Sequence, residues 1–173
     1  MERHIQWDQE TEWLRTELSG NGAFLNVRTP DGGFNLMTIG WGQVGIVWSR
    51  PAFTVYVRPN RYTFEFLQSA NGFTVSVPRH GELADALMLC GTRSGRDMDK
   101  VAESGLHLAD AQAIDTPVIA ECGLHYECSI LARVQLDPND MVSEDALQTF
   151  ETKNPHQIVL GEIVAAYVSQ PSA

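Results

Sequence analysis

Two short runs of the sequence carry residue types and spacings suited to holding an anion. The first is Arg58-Pro59-Asn60-Arg61-Tyr62-Thr63, which follows an apolar, strand-like stretch. Pro59 pushes Arg58 into an extended conformation, and Asn60 is a favoured helix N-cap. The N–H groups of the turn after it have no intrahelical partner. Arg61 adds a charge with a fork of donors and Thr63 a hydroxyl, a combination that suits a phosphate. The same residues also describe a capped surface helix with solvated arginines.

The second run is Cys90-Gly91-Thr92-Arg93-Ser94-Gly95-Arg96-Asp97-Met98-Asp99-Lys100. Ser94 followed by Asp97 is a capping-box pattern that opens a helix. Gly95 permits close backbone approach, and Arg93, Arg96 and Lys100 concentrate positive charge. The competing reading is a plain cap whose cations offset Asp97, Asp99 and Glu103. Upstream, Asn35-Leu36-Met37-Thr38-Ile39-Gly40-Trp41-Gly42 offers a strand edge that such a site could use.

These runs need elements to position them. At 173 residues the chain is expected to be a single domain, 1–173, large enough for a real core. Its 43% hydrophobic and 20% charged content is that of an ordinary globular protein. A net charge of −10 argues against nucleic acid as partner, though a few local arginines can still bind an anion. No apolar run approaches the roughly 20 residues of a membrane span, and residues 1–6 show no signal-peptide core, so the expected compartment is the cytoplasm.

Cys90, Cys122 and Cys128 are an odd count, which fits reduced thiols better than a disulfide framework. Read as one alternating strand, residues 122–128 put Cys122 and Cys128 on the same face and His125 on the opposite one. That is poor zinc geometry, and no metal is expected.

Periodicity predicts an amphipathic N-terminal helix over residues 1–18, stopped by Ser19-Gly20-Asn21-Gly22. Strands follow at 23–28, 34–38, 44–48 and 53–57, with a Pro30-Asp31-Gly32-Gly33 turn after the first. A short helix is expected at 62–69, a strand at 73–77 and a helical insertion at 82–105. Strands return at 118–121, 124–136 and 157–168, with an acidic connection at 137–154. This order suits a mainly β protein: an antiparallel barrel carrying inserted helices, without βαβ alternation or a Gly-x-Gly-x-x-Gly turn.

Taken in order, several motifs resemble one family: Asn35-x-Met37-Thr38-x-x-Trp41, Arg50-Pro51, Arg58-x-x-Arg61-x-Thr63, Asn71-Gly72-Phe73-x-Val75-Ser76-Val77-Pro78, Cys90-Gly91, and Ser94-Gly95-Arg96-Asp97-x-x-Lys100. The pattern is similar to the flavin reductase-like, FMN-binding split-barrel proteins, nearest to their flavoredoxin-like branch. It runs from about residue 34 to 167 and includes the closing strand 156–164. The resemblance implies a split β-barrel homodimer with FMN near the subunit interface. It implies that Asn35, Met37, Thr38 and Ile39 line the flavin ring and ribityl chain, partly through backbone groups, with Trp41 covering the ring. It further implies that Arg58, Arg61, Tyr62 and Thr63 take the phosphate end, helped by Ser94, Arg96 and Lys100.

One departure stands out. Members that feed reduced flavin to monooxygenases carry Gly-Asp-His on the last strand, and the expected counterpart here is Gly161-Glu162-Ile163, without a histidine. His156 is the candidate for the cofactor mouth, a solvated strand-start histidine being the other reading. The resemblance thus implies an FMN-dependent oxidoreductase that passes electrons from a reductant, NAD(P)H, to an acceptor. The alternatives are an FMN-binding electron-transfer protein with no nicotinamide site, and a split-barrel binder that has lost the cofactor. No Ser-His-Asp set or Cys-x-x-Cys points to other chemistry.

Overall fold

A computed structural model describes residues 2–152 and 155–169. Alternating apolar residues build one antiparallel sheet from β2 (Ala23–Arg28), β3 (Phe34–Ile39), β4 (Gly42–Val47), β5 (Arg50–Val57), β6 (Gly72–Val77), β9 (Leu124–Gln135) and β10 (Gln157–Ser169). Its order is β3-β2-β6-β9-β10-β5-β4, with β1 (Glu2–His4) added to β10. The sheet curls so that β3 approaches β5. Leu25, Val27, Met37, Ile39, Phe53, Val55, Phe73, Val75, Tyr126 and Cys128 fill the barrel, every second residue of their strands as the pleat demands. Among the described residues no helix is long and apolar enough to cross a membrane.

The opposite face of β2, β6 and β9 is also buried, because the segment from α3 (Ala84–Thr92) through α4 (Lys100–Ser104), β7 (Leu108–Ala109) and β8 (Val118–Ile119) lies over it. Phe24 and Leu36 meet Ala86, Leu87, Cys90, Ile119 and Cys122 there. Beside that apolar patch runs a polar layer. Asn26 Nδ2 donates to Thr74 Oγ1 and Ser76 Oγ, each at 3.0 Å, and Ser76 Oγ accepts Ile119 N–H at 3.0 Å. Glu127, fully buried, accepts the N–H groups of Gln112, Ala113 and Ile114 at 2.6, 2.7 and 3.1 Å. Strand positions that alternation assigns to solvent are therefore polar but dry, and hydrogen-bonded as burial requires.

Several elements differ from the sequence expectation. The N-terminal helix is confined to α1, Thr11–Ser19. Residues 2–4 instead pair with Ser169, Val168 and Tyr167 of β10, and Ile5 N–H reaches Ala166 O at 3.0 Å, so a sheet edge outcompetes helical periodicity. The acidic connection contains α5, Glu144–Thr152, with Ser143 Oγ accepting Ala146 N–H at 3.3 Å. The hairpin between β4 and β5 turns at Trp48 and Ser49, both with positive φ (50° and 62°), a primed-turn geometry reached without glycine.

The cysteines also differ. Cys122 belongs to the patch under α3 and Cys128 to the barrel interior, so they share no face. Cys122 precedes β9 in a turn, where strand alternation does not apply. All three thiols are free and buried, and burial pushes those of Cys122 and Cys128 well up.

His125 is locked into the polar layer. Its Nε2–H faces Cys122 O at 3.1 Å and Ser169 Oγ at 3.0 Å, while Nδ1 lies 3.3 Å from Ser76 Oγ. Burial lowers its pKa to about 4, with the Cys122 carbonyl opposing and Arg79 adding. The folded state therefore keeps His125 neutral while the unfolded chain takes up a proton near pH 6.5. This contribution to stability is complete above pH 6.5 and is lost as pH falls through 4. Urea unfolding from pH 7.5 to 4 is expected to show a loss of up to about 3 kcal/mol from this group. A His125→Asn variant should lack that component, most visibly between pH 6.5 and 5. An unchanged slope in the variant would contradict the assignment.

Candidate functional site

The site is organised by three cations and one helix end. Arg58 follows β5, Arg61 precedes the short helix α2 (Tyr62–Leu67), and Lys100 opens α4. Lys100 is buried, and its Nζ donates to Cys90 O at 2.8 Å and Leu36 O at 3.0 Å. Arg61 Nη1 donates to Gly91 O at 3.1 Å. Cys90 and Gly91 lie in the last turn of α3, where carbonyls have no intrahelical donor and the helix dipole is negative. Both cations thus rest on the C-terminus of α3 instead of on carboxylates.

Among the described residues none of the three is ion-paired. The arginine pairs are those of Arg3, Arg15, Arg50 and Arg96. The cost appears in the titration. Burial first, then the neighbouring charge of Arg58, lowers the pKa of Arg61. Burial lowers that of Lys100, with Cys90 opposing and Arg61 adding. A chain of net charge −10 has gathered at one place three cations that have no carboxylate partner among the described residues, and such a cluster is stabilised by an anion.

Arg58 leads to an aromatic pair. Its Nε donates to His156 Nε2 at 3.1 Å, and its guanidinium carbon stands 6.0 Å from the Trp41 ring. The rings of His156 and Trp41 are 4.8 Å apart and tilted by 45°. His156 is buried while Trp41 remains 45% exposed, so the indole offers a surface beside the cations. His156 is therefore not a solvated strand-start residue.

The remaining sequence candidates divide. Asn35 is buried and its Nδ2 donates to Thr63 Oγ1 at 2.7 Å, joining β3 to α2. Thr38 Oγ1 donates to Leu87 O at 2.6 Å. Met37 and Ile39 point into the barrel, so only their backbone could face a ligand. In the sheet β3 pairs with β2 alone, leaving its outer peptide edge to other partners, of which Lys100 is one.

Arg96 turns away from the cluster. It pairs with Glu65 and lies 4.6 Å from the Tyr62 ring centroid, clasping the 93–98 loop onto α2. Ser94 Oγ accepts Arg96 N–H at 3.2 Å within a turn, and the helix it was expected to open starts later, capped by Asp99. Asn60 is likewise not a cap: α2 begins after Arg61, whose side chain makes no capping bond, and Asn60 is exposed. With only six residues in α2, the cations carry the anion argument and the helix start does not.

The structure adds a reason for Gly95 that its neighbours in sequence do not reveal. A Cβ there would collide with Asn35 Oδ1 and come within 3.2 Å of Tyr62. Glu65, as holder of Arg96, and the carbonyl pair at the end of α3 have no sequence signal of their own. The counterpart of the missing histidine also moves. Gly161 is wedged against Phe73 and Cys128, Glu162 pairs with Arg50, and Ile163 is in the core, so residues 161–163 do not reach the cations. His156 does.

A sequence model of the flavin reductase like domain matches residues 21–173. The chain belongs to that family. Its sheet is the split-barrel fold of solved relatives. The FMN-binding domain of a flavin reductases-like enzyme from Shewanella baltica superposes with a TM-score of 0.68, covering 97% of this chain and 77% of that one at 19% identity. A flavoredoxin from Methanosarcina acetivorans gives 0.65, with 86% and 69% covered at 25% identity. Nitrilotriacetate monooxygenase component B from Bacillus cereus gives 0.67, with 97% and 82% covered at 17% identity. No curated protein matches the sequence.

Proposed function

We propose that this flavin reductase-like chain is an FMN-dependent oxidoreductase taking electrons from NAD(P)H, and that Arg58, Arg61 and Lys100 receive the FMN phosphate. The observation that carries the reading is the set of three cations without a carboxylate partner among the described residues. The donor set fits the group: a phosphate dianion would supply the missing negative charge, and the half-exposed Trp41 leaves an aromatic face for a flat ring. When bound, FMN supplies the redox chemistry, accepting hydride from a nicotinamide and releasing electrons to an acceptor.

The protein's part is binding and orientation. Arg61 and Lys100, fixed by the α3 carbonyls, are held in place before a ligand arrives, so little ordering cost remains. Asn35 and Thr63 fix β3 against α2. Arg58 makes His156 accept at Nε2, which leaves the proton of the neutral ring on Nδ1. His156 stands beside Trp41, at the surface a nicotinamide approaching the ring would meet, and it is this placement that favours nicotinamide use over the reading of a carrier protein without it.

Arg61→Ala is expected to weaken FMN binding by about 1.5–3 kcal/mol, roughly 10- to 150-fold in Kd. Isothermal titration would measure it, and unchanged affinity would count against the assignment. Anaerobic NADH or NADPH should bleach the flavin absorbance of the FMN-loaded protein. A flavin that stays yellow with both, yet is reduced by dithionite, would make the chain an electron carrier.

The proposal extends to a homodimer. Ile46 and Trp48 on the β4–β5 hairpin are 59% and 71% exposed, apolar surface that a second copy would cover. Light scattering should return twice the chain mass, and Trp48→Arg the single mass. A wild-type monomer at micromolar concentration would remove this part.

A further inference from the structure

The segment that joins α3 to α4 is anchored at both ends and lightly held in the middle. At one end the Cys90 and Gly91 carbonyls hold Lys100 and Arg61. At the other, Asp99 takes the N–H groups of Val101 and Ala102, and Lys100 Nζ is bonded to Leu36 O. Between these anchors the backbone closes on itself: Asp97 N–H donates to Ser94 O at 3.1 Å and Arg96 N–H to Ser94 Oγ at 3.2 Å. Arg96 carries this turn onto α2, ion-paired with Glu65 and 4.6 Å from the Tyr62 ring centroid. Its side chain and that of Glu65 are 43% and 52% exposed, so the pair adds little to the stability of the fold.

The pair does join two walls of one cavity, of about 590 Å³. Tyr62 and Phe66 line it from α2, Gly95, Met98 and Lys100 from the 95–100 segment, and Asn35 from β3. Glu65 and Arg96 are not in that lining and touch nothing held inside it. Lys100 belongs both to the cavity wall and to the cation cluster, so the cavity is the approach to the phosphate end of the site. Lifting the 94–97 turn off α2 widens that approach and requires the Arg96 contacts to break. Contacts present with and without ligand, and lost only during passage, change the rates of entry and exit together. They leave the affinity where it was.

We propose that Glu65 and Arg96 form a latch on the 94–97 turn, and that this latch sets how fast FMN enters and leaves. Glu65 acts through Arg96 and is a positioning residue. The inference rests on the phosphate assignment made under Proposed function. The test measures FMN association and dissociation by stopped-flow flavin fluorescence, and Kd by calorimetry, for the wild type, Glu65→Gln, Arg96→Gln and the double variant. The wild type is also measured over a salt series, a readout that needs no substitution.

Glu65→Gln is expected to raise both rate constants about five-fold, the scale of an exposed ion pair. Arg96→Gln, which also loses the Tyr62 contact, should raise both about ten-fold, with Kd within about two-fold of wild type in each case. The double variant should be no faster than Arg96→Gln, because the two residues act as one unit. At 1 M salt, where the screening length is about 3 Å, the gap between wild type and Glu65→Gln should close. Unchanged rates in both variants would overturn the latch. So would association that rises in Glu65→Gln and falls in Arg96→Gln, the pattern of charge steering, or an affinity loss in Arg96→Gln without faster association, which would make Arg96 a phosphate ligand. Each of these leaves the FMN reading intact, whereas a wild type that takes up no FMN would overturn both.

Discussion

The structure depends on how a buried lysine and a half-buried arginine are held without carboxylates. A salt bridge would neutralise Lys100 and Arg61 and leave nothing for a ligand. The last carbonyls of α3 satisfy their N–H groups and supply the negative end of a helix dipole, a fraction of a charge at most. The hydrogen bonds are made and most of the charge remains. That is the electrostatic condition for an anion site in a protein whose total charge is strongly negative, and it ties the end of α3 and the Leu36 carbonyl of β3 to the two cations.

The inserted segment must therefore sit accurately on the barrel, and the polar layer accomplishes this. Glu127 draws residues 112–114 down by three N–H bonds, while Asn26, Thr74, Ser76 and His125 form a connected set beneath β8. An apolar layer would let α3 slide, since dispersion contacts have little directionality. The directional bonds set a register, and that register carries the Cys90 and Gly91 carbonyls to the two cations. Acid is predicted to loosen this layer through His125 before it affects the cations themselves.

Much of the barrel is legible in the sequence because strand alternation is strict where one face is a packed interior: residues 23–28, 53–57 and 73–77 emerge as strands with few boundary errors. The alternation misleads at Cys122 because the chain is still in a turn there, and at His125 because period-two patterning does not say what lies over the outer face of a strand buried on both sides. β1 is hidden because three residues pairing with a distant edge have no local signature. For the site, residue types single out Arg58, Arg61, Thr63 and Lys100, of which the fold brings Arg61 near Arg58 and Lys100 and bonds Thr63 to Asn35. They cannot show that Arg96 belongs to Glu65, that Met37 and Ile39 turn inward, or that His156 returns to Trp41 and Arg58 from about a hundred residues away. Ser143 before Glu144 and Asp145 did carry a helix-start signal for α5, masked by the acidity of its surroundings.

The central claim is that uncompensated positive charge selects a phosphate. Its most direct test compares FMN with riboflavin, the same ring and ribityl chain without the phosphate, by calorimetric titration of the apo-protein at moderate salt. The account predicts that FMN binds at least about 100-fold more tightly, the scale of two charge-assisted contacts at roughly 1.5 kcal/mol each. Equal affinity for the two flavins would contradict it.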